Sequence, residues 1–196
     1  MMPEVKVDLC FKVMGTRIPV DHGFALYGAL SRELPFIHEC KDLGLKLIRG
    51  RYTGEGMLDI SPYSELVLRI PAGRIGAFLA LAGKAFEVHG CKLSVGAPAT
   101  RALVPAAALH SHLVSTRNGH DQGRFETEMQ NQMEQMGARG RVSVGSRRTF
   151  AVHGKKVVGY SVLVSELTAE ESITLQENGL GGRRKMGCGF FEVWRA

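Results

Sequence analysis

Val5, Val7, Leu9, Phe11 and Val13 alternate with Lys6, Asp8, Cys10 and Lys12. A period of two predicts a strand with one buried face. The period then lengthens: Leu26, Leu30 and Leu34 recur at helical spacing, with Asp21 as a good N-cap and Pro35 as a stop, so a helix is expected up to about Glu33. Residues 45–52 and 66–70 read as two further strands. Ile75, Phe78, Leu79, Ala82 and Phe86 predict a second helix running to about Val88 and stopping before Gly90. Cys91, Leu93, Val95 and Ala97 alternate as a fourth strand, after which Pro98 and Pro105 flank an expected linker. Strand, helix, strand, strand, helix, strand is the ferredoxin-like order.

The second half parses the same way. A strand over 109–117 is followed by a helix striped with Phe125, Met129, Met133 and Met136, which read as core and not as a cofactor box. Strands over 142–152 and 155–166 are joined by a turn at His153-Gly154. Thr168-Ala169-Glu170-Glu171 is a capping box that opens a short helix. Gly179 is expected to end it as a left-handed residue, with Leu175 and Leu180 closing the cap, and a last strand starts at Phe190. The expected fold is therefore α+β: tandem ferredoxin-like (RRM-like) βαββαβ domains, at 1–98 and 106–196, with a carboxyl-terminal glycine-rich loop.

Charge divides the chain unevenly. Net charge is +6 over 196 residues, and from Ala138 onward 10 Lys/Arg stand against 5 Asp/Glu. A basic carboxyl half suggests a polyanionic partner. Cys10, Cys40, Cys91 and Cys188 are scattered without a Cys-x-x-Cys pair, which argues against a zinc site or a secreted disulfide framework. No run approaches the length of a membrane span and no signal peptide is evident, so a cytoplasmic location is expected, with no membrane partner.

The chemistry concentrates in Gly179-Leu180-Gly181-Gly182-Arg183-Arg184-Lys185-Met186-Gly187-Cys188-Gly189. Two Gly-apolar-Gly tripeptides flank a cationic insert, an arrangement that brings backbone close to a phosphate chain while Arg183, Arg184 and Lys185 supply charge. The loop follows a helix and precedes a strand, the reverse of the order in dinucleotide-binding and phosphate-loop folds, and no Gly-Lys-Ser/Thr follows it. A mononucleotide site is excluded on that ground. Arg139, Arg141, Arg147, Arg148, Lys155 and Lys156 form a second basic set around the 142–166 hairpin.

In this position and context the glycine signature, ahead of an aromatic strand at the extreme carboxyl end, resembles the loop of the CRISPR repeat-processing endoribonucleases of the RAMP superfamily. Pro19-Val20-Asp21-His22-Gly23-Phe24-Ala25-Leu26 and Ile37-His38-Glu39 are also similar to segments of those enzymes, and the compact length with Asp-His-Gly-Phe-Ala-Leu-Tyr resembles the Myxococcus-type subtype. The resemblance implies metal-independent cleavage of CRISPR precursor RNA within its repeats, with no cofactor. The ribose 2′-hydroxyl attacks its phosphate to leave a 2′,3′-cyclic phosphate and a 5′-hydroxyl. Such a reaction requires a base, an acid and positive charge on the phosphorane.

Of seven histidines, His38 is the first candidate for proton transfer and His22, beside the first helix's amino terminus, the second. His89, His110, His112, His120 and His153 read as ordinary strand or turn residues. Lys46 is the candidate for phosphorane charge. Some relatives hold a tyrosine where Ser31 aligns; Tyr27, one helical turn earlier, is its substitute or a core residue. The expected RNA contacts are Gly179, Gly181, Gly182, Arg183, Arg184, Lys185, Gly187, Gly189, Arg141, Arg147 and Arg148. The expected partner is CRISPR repeat RNA, with other effector-complex subunits as a further expectation. The alternative within the same superfamily is a subunit that binds crRNA without cutting it.

Overall fold

The computed structural model describes residues 4–195. The chain divides between Ala102 and Leu103 into two compact units.

In the amino-terminal unit the alternating segment forms β1 (Lys6–Gly15), followed by β2 (Arg17–Pro19), α1 (Gly23–Glu33), β3 (Gly44–Lys46), β4 (Arg51–Gly54), β5 (Met57–Asp59), β6 (Glu65–Pro71), α2 (Ile75–Phe78), β7 (Ala85–Val88) and β8 (Cys91–Ala102). A five-stranded sheet has the order β3-β6-β1-β8-β7. Removing β7 leaves the ferredoxin-like order, in which the first strand lies centrally between the third and the fourth. The apolar positions of β1 pack with Leu26 and Leu30 of α1, Phe78 of α2 and Leu66 and Leu68 of β6 in one core. On the opposite face Arg69 donates to both carboxylate oxygens of Asp8, at 2.7 Å from Nε and 2.9 Å from Nη2.

Several expectations are corrected here. Asp21 is exposed and His22 takes the N-cap position of α1 without a side-chain cap bond. The strand expected over 45–52 breaks in two, because the N–H of Ile48 is claimed by the His22 ring and β4 joins β5 and β2 in a separate three-stranded sheet. The second helix lasts one turn. Gly83 has φ +77, and beyond it Phe86 and Val88 are buried between exposed Ala85 and Glu87, so this stretch alternates as β7. Its apolar spacing fits either period over so short a length. Pro98 lies inside β8, opposite Phe11 and beside the register shift between Phe11 and Val13, the kind of place where a strand tolerates proline.

The carboxyl-terminal unit contains β9 (Leu109–Ser115), α3 (Gln122–Gln135), β10 (Arg141–Val152), β11 (Lys155–Ser165), α4 (Ala169–Asn178) and β12 (Glu192–Val193). Its sheet order, β10-β11-β9-β12, is again ferredoxin-like. Phe125, Met129 and Met133 are fully buried against Val114, Tyr160, Val162 and Leu175, so the methionine stripe is core. His153 and Gly154 both have positive φ, as a tight β10–β11 turn requires. The capping box of α4 is present in both directions between Thr168 and Glu171. Gly179 has φ 64 and ψ −177, which is the extended glycine-only region and not the left-handed one expected. Its N–H still closes the helix on the Leu175 carbonyl, at 2.8 Å.

Candidate nuclease and RNA-binding site

The two histidines ranked first have opposite environments. His22 is 1% exposed. Its Nδ1–H donates to the Pro19 carbonyl at 2.7 Å and its Nε2 accepts from the Ile48 N–H at 3.0 Å. These partners fix the neutral Nδ1–H tautomer, and burial lowers the pKa, with a partly offsetting contribution from the Pro19 carbonyl bond. With both ring nitrogens engaged inside the fold, His22 has none to offer a substrate. It holds the chain between α1 and β4.

His38 closes a 3-10 turn (Pro35–His38) that follows α1 and begins at the proline predicted to stop it. It is exposed. Tyr27 Oη lies 3.0 Å from His38 Nδ1, and the rings meet edge to face at 5.6 Å. Ser31 is buried and donates to the Tyr27 carbonyl at 2.8 Å, so a phenol reaches the histidine from the preceding turn of the same helix. Arg74 steadies this 3-10 segment from the other side: its guanidinium lies over the Phe36 ring and donates to Cys40 Sγ at 3.1 Å. Lys46 is half-buried on β3, the edge strand of the main sheet.

The glycine loop is built from the sheet outward. β12 pairs with β9 over only two residues, and the loop takes over the rest of that strand edge: Gly182 N–H donates to the Ser115 carbonyl at 2.8 Å and Gly189 N–H to the Leu113 carbonyl at 2.7 Å. This close approach explains the glycines. A Cβ on Gly181 would lie 2.5 Å from the Ser115 carbonyl oxygen, and Cβ atoms on Gly179 and Gly189 would strike backbone oxygens within the loop. Only Gly182 of the four has room, with its nearest neighbour at 4.0 Å. These contacts are with the loop's own scaffold, so close packing within the unit by itself requires glycine at these three positions.

The cationic insert is also sorted. Arg183 is exposed and sits in the left-handed region at φ 58 and ψ 34. Arg184 turns inward and donates from Nη2 to the Glu177 carbonyl at 2.8 Å, satisfying the carboxyl end of α4. Lys185 is half-buried in the 3-10 turn that ends at Gly187. On β10, Arg148 pairs across to Gly159 and Arg147 to Tyr160, so the two point to opposite faces of the sheet. Arg141 lies on the Arg148 side, because a register shift between Val144 and Arg147 inverts the alternation.

A cavity of about 630 Å³ opens beside the loop. Its cationic and imidazole lining is Arg117, His120, His153, Lys155, Lys156 and Arg183, and it has no acidic residue. It joins part of the glycine-loop set with part of the hairpin set. Arg117 was not among the expected RNA contacts and His120 read as an ordinary turn residue, because both belong to the β9–α3 connection, whose place beside Arg183 is decided by the fold. Among the described residues no group of three His, Cys, Asp or Glu side chains is gathered to hold a metal ion, and no helix is long and apolar enough to cross a membrane.

The chain is thus built of two ferredoxin-like units, the second closing on a glycine-rich loop. The model of the family described as Cas6 Crispr matches residues 7–194. The chain is 38% identical over 187 residues to the CRISPR-associated endonuclease Cas6 of Myxococcus xanthus strain DK1622, covering 95% of this chain and 81% of that one. Among solved structures it superposes on a CRISPR-associated protein Cas6 with TM-score 0.67 at 13% identity, over 97% of this chain and 99% of that one. It superposes with TM-score 0.66 at 14% identity, over 97% and 100%, on a RAMP protein described as binding different RNA substrates. The chain belongs to the Cas6 family of CRISPR-associated endoribonucleases.

Proposed function

We propose that this chain cuts CRISPR precursor RNA within its repeats without a metal ion, using His38 and Tyr27 as the proton-transfer pair. The observation that carries this reading is the hydrogen bond of 3.0 Å between Tyr27 Oη and His38 Nδ1 on an exposed turn. With Nδ1 engaged by the phenol, Nε2 is assigned the proton transfer to or from RNA. With Nδ1–H donating to Tyr27 Oη, the neutral ring presents a basic Nε2 and the imidazolium, which keeps the same Nδ1–H bond, presents an acidic Nε2–H. The ribose 2′-oxygen loses its proton to a base and bonds to the adjacent phosphorus. The bond from phosphorus to the 5′-oxygen breaks, and that oxygen takes a proton from an acid, giving a 2′,3′-cyclic phosphate and a 5′-hydroxyl.

Lys46 is assigned the charge on the phosphorane, following the family resemblance. In the carboxyl-terminal unit the cavity lined by Arg183, Arg117, Lys155 and Lys156 is assigned the RNA backbone, which such cations bind without reading sequence. A structural neighbour described as binding different RNA substrates supports an RNA ligand for this architecture.

The test is cleavage of repeat RNA in EDTA. His38→Ala should reduce single-turnover cleavage by about 10²–10⁴-fold and Tyr27→Phe by a smaller factor, with RNA affinity little changed. His22→Ala should lose stability more than chemistry. A 2′-deoxy substitution at the cut site should abolish cleavage and spare binding. Full activity in His38→Ala would overturn the assignment, and wild-type protein that binds repeat RNA but never cuts it would support the non-cleaving alternative.

A further inference from the structure

The loop that carries Arg183 is held by an unbroken run of side-chain hydrogen bonds across helix α3. Gly181 N–H donates to Gln132 Oε1 at 2.8 Å. Gln132 Nε2 donates to Glu128 Oε1 at 3.2 Å, one turn earlier on the same helix face. The other oxygen of that carboxylate, Oε2, accepts from Asn118 Nδ2 at 2.9 Å. Asn118 in turn fixes the β9–α3 connection, its N–H donating to Thr116 Oγ1 and its carbonyl accepting from the Asp121 N–H, both at 3.0 Å.

The two ends of this run are two walls of the cationic cavity. Arg183 follows Gly181 by two positions, and Thr116, Arg117, Gly119 and His120 surround Asn118. Gln132 therefore does more than complete a helix surface. It holds the backbone N–H of a glycine at φ +72, immediately before a residue pair whose second member, Arg183, is itself in the left-handed region. A loop with this backbone has few local preferences to keep it in place, so Gln132 at Gly181, together with the Ser115 carbonyl at Gly182, fixes where Arg183 points.

We propose that Gln132, through Glu128, is a positioning residue that sets the glycine loop and the 116–121 connection at the spacing needed to clamp one stretch of RNA phosphates. Neither side chain touches RNA in this scheme; both act through Arg183 and Arg117. The proposal rests on the reading above that Arg183 contacts the RNA backbone.

A double-mutant cycle tests it on the full chain, with repeat RNA binding followed by fluorescence anisotropy from low to high salt and folding followed by thermal melting. Arg183→Ala alone should weaken binding and reduce the salt slope by about one phosphate contact. Gln132→Ala should weaken binding by about tenfold or less, lower the salt slope by a similar amount, and leave single-turnover cleavage at saturating protein unchanged. In the double variant the two losses should be markedly less than additive. Gln132→Glu alone, which sets two carboxylates against each other, should behave like Gln132→Ala. Combined with Glu128→Gln it re-forms the donor and acceptor order in reverse and should restore affinity and salt slope. Additive losses, an unaltered salt slope in folded Gln132→Ala, or failure of the exchanged pair to restore binding would each overturn the role of Gln132. An Arg183→Ala protein that binds normally would instead remove the reading of the loop, and the proposal with it.

Discussion

Replacing Gly181 by alanine should damage the carboxyl-terminal unit far more than the same change at its neighbour Gly182. Gly181 has φ +72, and a Cβ there would lie 2.5 Å from the Ser115 carbonyl oxygen and 2.9 Å from Val114 Cγ1. The left-handed backbone alone costs an L-residue about 1–2 kcal/mol. Ser115 is paired in β9, and Val114 is buried in the core, so neither neighbour can withdraw like a flexible side-chain tip. Overpacking of this kind adds about 1–3 kcal/mol. The sum for Gly181→Ala is about 2–5 kcal/mol, whereas Gly182, whose nearest neighbour to an added Cβ is 4.0 Å away, should change by about 0.5 kcal/mol or less. Urea denaturation of the two variants beside the parent protein reads this difference directly, with equal m-values confirming that the comparison is like for like. If Gly181→Ala proves as stable as the parent, or Gly182→Ala as damaging as Gly181→Ala, the account of the glycines as a self-packing device is wrong.

Other consequences are as direct. Arg183→Gly should raise stability by about 0.5–1 kcal/mol by relieving the left-handed backbone, while weakening RNA binding as much as Arg183→Ala does; a stability gain from alanine as large as from glycine would refute the strain. Asp8→Ala leaves the Arg69 guanidinium, 2% exposed, without its two carboxylate bonds, and should cost about 3–5 kcal/mol by chemical denaturation, against near-zero cost expected of an exposed pair such as Arg51 with Asp59. Because burial holds the folded His22 pKa below its ordinary value, the unfolded chain binds this proton more readily. Its contribution to stability is complete above pH of about 6.5 and is lost as pH falls from there toward the folded pKa. Denaturation midpoints measured between pH 7 and pH 5 should therefore fall, with a shallower fall in His22→Gln; an equal slope in both proteins would exclude His22 as its source.

The long periodic segments were legible before any coordinates. Alternation from Leu9 to Val13, the leucines of α1, the methionine stripe, the capping box at Thr168 and the His153-Gly154 turn all appear where the sequence predicts them, whereas at the strand's start Val5, expected inside, is exposed and Lys6, expected outside, is buried. Each is set by interactions within a few residues. The stretch from Ile75 to Val88 was misread because one turn of helix followed by a strand leaves the same apolar residues as a longer helix, and only pairing with β8 chooses between them. The start of the linker expected from Pro98 is strand because residues 98–102 pair with residues 7–11 of β1.

The site divides along the same line. The chain alone nominated His38, Tyr27, the glycines and the cationic insert, since residue type and local spacing are enough to mark chemistry. It could not separate the exposed histidine from the buried one, because the His22 ring nitrogens are engaged by Pro19 and by Ile48, and Ile48 lies beyond α1, a 3-10 turn and β3. It could not tell that Arg184 caps a helix while Arg183 faces solvent, or that a bulge between Val144 and Arg147 puts Arg141 on the same face as Arg148. Nor could it bring Gln132 to Gly181 or Arg117 to Arg183. Local sequence determines which backbone each segment adopts and which groups it carries; whether a nitrogen meets a substrate or a carbonyl depends on atoms far away in the chain, and packing alone decides that.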